Sequence, residues 1–116
     1  MNNVAEILAR IEALTGIKPE AFSSKSIQFL PAISYTLYKQ RDNAVIESWR
    51  LQIRYVAESL EEAMELEQIV SESLCSLGDE EILGTLRIEL NGGGIVEDEN
   101  TGIPQVLAFY DIQTRS

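Results

Sequence analysis

The chain contains no histidine and a single cysteine, and each shortage removes a class of chemistry. One cysteine rules out an intrachain disulfide. Cys75 falls in a helical pattern beside Leu74 and Leu77, so a buried, inert thiol is the expected state. A nucleophilic thiol needs a histidine or cationic neighbour to hold it as thiolate, and no imidazole exists here to supply that.

Basic residues are scarce as well. Nine lysines and arginines stand against 19 acidic residues, for a formal charge of −10 and a pI near 4.3. Nucleic-acid binding by backbone neutralisation needs a cationic stripe, and this field repels phosphates at long range; tight DNA binding is therefore not expected. The same excess opposes self-association, so any oligomer has to overcome it with apolar contact or matched local charge. No apolar run approaches the roughly 18 residues that span a bilayer. Met1-Asn2-Asn3-Val4-Ala5-Glu6 lacks the basic start and apolar centre of a signal peptide, so a cytoplasmic location without membrane contact is expected.

What is present suits one α+β domain over residues 1–116, with 45% hydrophobic and 24% charged residues spread along the chain. Val4, Ile7, Leu8, Ile11 and Leu14 recur at helical spacing, with Asn3 as N-cap and Gly16 as stop. Residues 17 to 30, with Pro19 and Ser23-Ser24-Lys25-Ser26, predict a mobile loop. Ile33, Tyr35 and Leu37 alternate with polar partners; after a turn at Arg41-Asp42-Asn43, so do Trp49, Leu51, Ile53 and Tyr55. Period two of this kind predicts a hairpin. Ser59-Leu60-Glu61-Glu62 is a capping box. It opens a long helix ended by Gly78, with Glu61, Glu62, Glu65, Glu67 and Glu72 expected as a solvated acidic face. Leu86, Ile88 and Leu90 begin a third strand that bends at Gly92-Gly93-Gly94 and resumes at Ile95-Val96. In the last segment Val106, Ala108, Tyr110 and Ile112 form one apolar alternation and Leu107 and Phe109 the other, so this strand is expected to be covered on both faces. The order helix, strand, strand, helix, strand, strand favours an antiparallel four-stranded sheet with two helices packed on one face. Part of the second face, including Leu107 and Phe109, is then left for a partner.

No motif in the sequence carries catalysis, a metal or a cofactor. Glu97-Asp98-Glu99-Asn100 offers oxygen ligands in a turn. An EF-hand loop begun at Asp98 would nevertheless put Gly102 one position early and Phe109 where the bidentate glutamate belongs. The three glycines lead into Ile95-Val96-Glu97 rather than into a helix with a lysine, which argues against a phosphate loop. Arg50 and Arg54 flank Gln52 on the polar side of the second strand, and Arg87 is placed to share that face. They read either as ordinary outward strand residues or as a docking row for an acidic face, such as Glu61 and Glu65 on a neighbouring copy.

Leu30-Pro31-Ala32-Ile33-Ser34-Tyr35, Arg50-Leu51-Gln52-Ile53-Arg54-Tyr55, a helix opening with Glu61-Glu62-Ala63, and Gly93-Gly94…Asp98…Thr101-Gly102…Leu107-Ala108-Phe109-Tyr110 together resemble the tail terminator, or tail-completion, proteins of long-tailed bacteriophages and prophages. The likeness spans residues 30 to 114 in element order. It implies a non-enzymatic assembly protein that forms a ring, expected to be a hexamer. The ring would cap the tail tube, end its polymerisation and meet the head connector protein, at the head-tail junction of the virion after assembly in the bacterial cytoplasm. The serine-rich stretch before Leu30 and the strong acidity depart from the family pattern, although an acidic lumen would let DNA pass without adhering. Two other readings compete: a neck adaptor or non-phage interaction domain, and a small enzyme working through carboxylates alone, which would require an acid with a strongly raised pKa in a pocket.

Overall fold

The computed structural model describes residues 4–22, 30–42, 46–76, 87–97 and 102–115. Helix α1 (Val4–Thr15) buries Ile7 and Ile11, which are four apart and so share one face. It stops at Gly16, whose φ of 74° is the left-handed conformation that glycine enters without a Cβ clash. The Gly16 N–H donates to the Glu12 carbonyl at 2.7 Å. The Asn3 cap and the Gly78 stop lie outside the described residues.

Strands β1 (Glu20–Ala21), β2 (Ala32–Asp42) and β3 (Ile46–Val56) follow, then α2 (Leu60–Ser76), β4 (Arg87–Glu97) and β5 (Pro104–Arg115). They form one sheet in the order β1-β2-β3-β5-β4, antiparallel throughout except for the parallel β1–β2 pair. The sheet thus has five strands, not the expected four, and the added one sits inside the stretch expected to be loop. Glu20 and Ala21 pair with Ser34 and Tyr35, and the Phe22 N–H donates to the Tyr35 carbonyl at 2.8 Å. Two exposed residues show no alternation; they are held by backbone hydrogen bonds to the edge of β2, which side-chain periodicity does not report. The serine cluster between them and Leu30 lies outside the described residues.

A second correction concerns Arg41 and Asp42. They extend β2 instead of turning, paired with Ser48 and Glu47 after a bulge between Lys39 and Arg41; Asn43 lies outside the described residues. The glycine bend in β4 is a bulge between Leu90 and Gly93. Gly93 has φ of 151°, and a Cβ there would run into the Leu107 backbone of β5, so a side chain is blocked both by conformation and by space.

Helix α2 starts as the capping box requires, the Glu62 N–H donating to Ser59 Oγ at 3.2 Å. It packs on β3, β4 and β5, with α1 beside it. Between helices and sheet lie Ile7, Ile11, Leu51, Ile53, Tyr55, Ala63, Val70, Leu74, Ala108, Tyr110 and Ile112 in one core cluster. Burial of each large aliphatic residue of this set contributes roughly 1.5–3 kcal/mol. Among the described residues no helix is long and apolar enough to cross a membrane.

Candidate docking face

Alternation sends every second residue of the sheet to the side away from the helices. On β3 these are Arg50, Gln52 and Arg54, and their register partners on β5 are Asp111, Phe109 and Leu107. On β2 they meet Tyr38, Thr36 and Ser34. Arg50, Arg54, Leu107 and Phe109, singled out from the sequence, therefore lie on one face. Leu107 and Phe109 are half-buried there, and among the described residues no second layer of the fold lies over them. Glu61 and Glu65 are exposed on α2, across the sheet from the arginines, so the two sets do not meet within one copy.

The arginines have partners within the chain. Arg50 Nε donates to Asp111 Oδ1 at 2.9 Å and Nη2 to Oδ2 at 3.4 Å, a two-pronged pair across the β3–β5 ladder. Asn91 Nδ2 donates to the same carboxylate at 2.6 Å. Burial pushes the Asp111 carboxyl up, but the hydrogen bonds from Arg50 and Asn91 outweigh it and hold the group below its ordinary value. The Asp111 hydrogen bond moves Arg50 in the reverse direction, upward. The Arg50 guanidinium also lies 5.6 Å from the Phe109 ring centroid, and that of Arg54 lies 4.7 Å from the Phe22 ring, both within cation–π range. Ser34 Oγ and Arg54 Nε, on register-partner residues, are buried without a hydrogen-bond partner among the described residues. Tyr38 OH donates to Gln52 Oε1 at 3.0 Å, and Arg87 pairs with Glu89 at 3.0 Å. The face is thus a closely placed array of aromatic rings under guanidinium groups, the composition favoured at interfaces between proteins.

Sequence reasoning missed Asp111, Asn91 and Phe22. Asp111 alternates with Phe109 and was reachable by extending the same parity two residues on. Phe22 was not, because it reaches the face only through β1.

The covered side of the sheet holds a different polar feature. Tyr55 OH lies 2.8 Å from Tyr110 OH, Tyr110 OH 2.7 Å from Ser71 Oγ, and Ser71 Oγ donates to Glu67 Oε1 at 2.9 Å. An ionised carboxylate only accepts, so the order that satisfies every hydroxyl runs Tyr55 to Tyr110 to Ser71 to Glu67. Glu67, expected on the solvated acidic face, is instead half-buried as the terminus of this chain. Burial pushes Tyr110 up to about 12, and burial together with the neighbouring Tyr110 raises Tyr55 further. Burial also raises the half-buried Cys75 thiol, which keeps it protonated at neutral pH. Among the described residues no three His, Cys, Asp or Glu side chains are grouped to hold a metal; Asp98, Glu99 and Asn100 lie outside them.

No protein-family model matches the chain, and no curated protein matches it. The resemblance to tail terminators rests on the residues quoted from the sequence.

Proposed function

We infer that the chain is a structural assembly protein whose uncovered sheet face docks on another copy, and that closure of such contacts yields the ring of a phage or prophage tail terminator. The observation that carries this reading is a stretch of sheet face, Arg50 to Arg54 against Leu107 to Asp111, over which no second layer of the fold lies among the described residues. Its proposed partners are the chain itself, the tail tube protein and the head connector protein. The acidic total charge of −10 fits a lumen through which DNA passes without adhering. In the ring, the glutamate row of α2 at Glu61 and Glu65 supplies carboxylates to the arginines of the adjacent copy. Arg50 has five N–H donors and uses two of them on Asp111.

Phe109→Asp tests the reading, since it sets an unpaired carboxylate into the contact. Light scattering and negative-stain microscopy of the parent should give rings. The variant should fall towards monomer mass with its far-UV spectrum retained. A parent that is monomeric at every concentration, or a variant that assembles as well as the parent, overturns the reading.

A further inference from the structure

Arg54 of β3 and Ser34 of β2 are directly opposed in the ladder, where the Cα atoms of antiparallel partners stand about 4.5–5.5 Å apart. Arg54 Nε and Ser34 Oγ are both closed to water and hydrogen-bonded to nothing among the described residues. Each costs its desolvation. Their adjacency gives the two costs a common remedy. The guanidinium N–H only donates and the hydroxyl is able to donate, so a single oxygen lying between them satisfies both.

The charge pattern selects the kind of oxygen. Three sheet arginines have described side chains. Arg50 is paired with Asp111 at 2.9 Å and Arg87 with Glu89 at 3.0 Å, whereas no carboxylate among the described residues pairs with Arg54. In a chain with 19 acidic and nine basic residues, the half-buried arginine is the one left without an acid. A neutral acceptor such as water answers the hydrogen bonds and leaves the charge, while a carboxylate answers both. A phosphate dianion is disfavoured, because one cation does not balance it and the field of −10 repels it. The Phe22 ring lies 4.7 Å from the guanidinium and is itself 52% exposed. It follows the two-residue strand β1 at the sheet edge, so an incoming group reaches the buried atoms by displacing a side chain and not backbone.

We propose that Arg54 and Ser34, beside the Phe22 ring, form a seat for one carboxylate group, whose oxygen accepts from Arg54 Nε–H and Ser34 O–H at once. Arg50, engaged by Asp111, is not part of it. The seat bears on the ring without depending on it. Its carboxylate comes either from Glu61 or Glu65 of a second copy or from a free carboxylic acid, and the experiment separates the two sources.

The test follows the arginine Nε–H resonances of the isotope-labelled chain near neutral pH, with that of Arg54 assigned by its absence in Arg54→Lys. Sodium acetate should move the Arg54 resonance saturably and leave that of Arg50 in place, and sodium chloride at equal ionic strength should not. Ser34→Ala, with the far-UV spectrum of the parent, should weaken acetate binding about three- to tenfold. The titration is run on the parent and on the double variant Glu61→Gln, Glu65→Gln. A response from the double variant alone supports the seat and assigns its occupant in the parent to a second copy. An equal response from both supports the seat and assigns it to free carboxylates, whether or not the chain forms rings. A response from neither, an equal shift with chloride, a stronger one with phosphate, or acetate binding untouched by Ser34→Ala overturns the proposal.

Discussion

The two sides of one sheet were built by the same strands and came out differently. On the helix side Leu51, Ile53, Tyr55, Ala108 and Tyr110 are fully or almost fully buried, and the polar groups among them end in a directed hydroxyl chain. On the other side Arg50, Arg54, Leu107 and Phe109 are half-buried, with Arg50 paired laterally to Asp111 and Arg54 over the Phe22 ring. Burial by a second layer demands that each polar atom find a fixed partner, because an orphaned one costs its full desolvation. On the other face Ser34 Oγ and Arg54 Nε are buried with no partner among the described residues and carry that cost. The contrast separates the side packed under the helices from the side that no second layer covers among the described residues.

The strongest way to break the contrast is a matched pair of truncations. Leu51→Ala should cost about 2–5 kcal/mol in urea unfolding, from lost transfer energy and the cavity left behind. Leu107→Ala, measured on the unassembled chain, should cost about 1 kcal/mol or less. Equal losses would mean that the two faces are equally load-sharing in the folded monomer.

Next in size is the hydroxyl chain. Tyr110→Phe strands the Tyr55 hydroxyl in the core and should cost about 1–3 kcal/mol. Tyr55→Phe leaves Tyr110 donating to Ser71 and should cost less. The double variant removes the stranded group as well, so its loss should fall below the sum of the two singles. Strict additivity would show that the chain does not act as a unit.

The same tyrosines set an alkaline limit. The folded pKa of Tyr110 is raised to about 12 above an ordinary value near 10, and Tyr55 moves in the same direction. The contribution of the protonated pair is therefore fully present below about pH 10 and lost as pH rises towards the folded value, because the unfolded chain releases its protons first. Melting temperature should drop between pH 10 and 12, and the drop should shrink in the double phenylalanine variant. An unchanged slope would assign alkaline unfolding to other groups.

The smallest effect belongs to the open face. Arg50→Ala should change the stability of the unassembled chain less than any of the substitutions above, as expected for a partly exposed ion pair. Because Asp111 is held below its ordinary value, the contribution of the pair is present above that value and is lost as pH falls through the folded one. The substitution should accordingly matter at neutral pH and vanish in acid. A loss of several kcal/mol at pH 7 would mark Asp111 and Arg50 as part of the core after all.

Much of this architecture is written locally. Ile7 and Ile11 in α1, the Ser59 cap of α2, the alternation from Trp49 to Tyr55 and the glycine bulge each act over a few residues, so periodicity and turn chemistry reveal them. The same parity put Arg50, Arg54, Leu107 and Phe109 on the side away from the helices before any coordinates were needed. What only the tertiary structure decided is who stands beside whom. The placement of β5 between β3 and β4 joins Arg50 to Asp111 across 61 positions of sequence and Tyr55 to Tyr110 across 55, and β1 gains its strand character only by leaning on β2. A sequence pattern reports the direction a side chain takes from its own backbone. Its neighbour across the sheet depends on strand order, and strand order is settled by the packing of the whole chain.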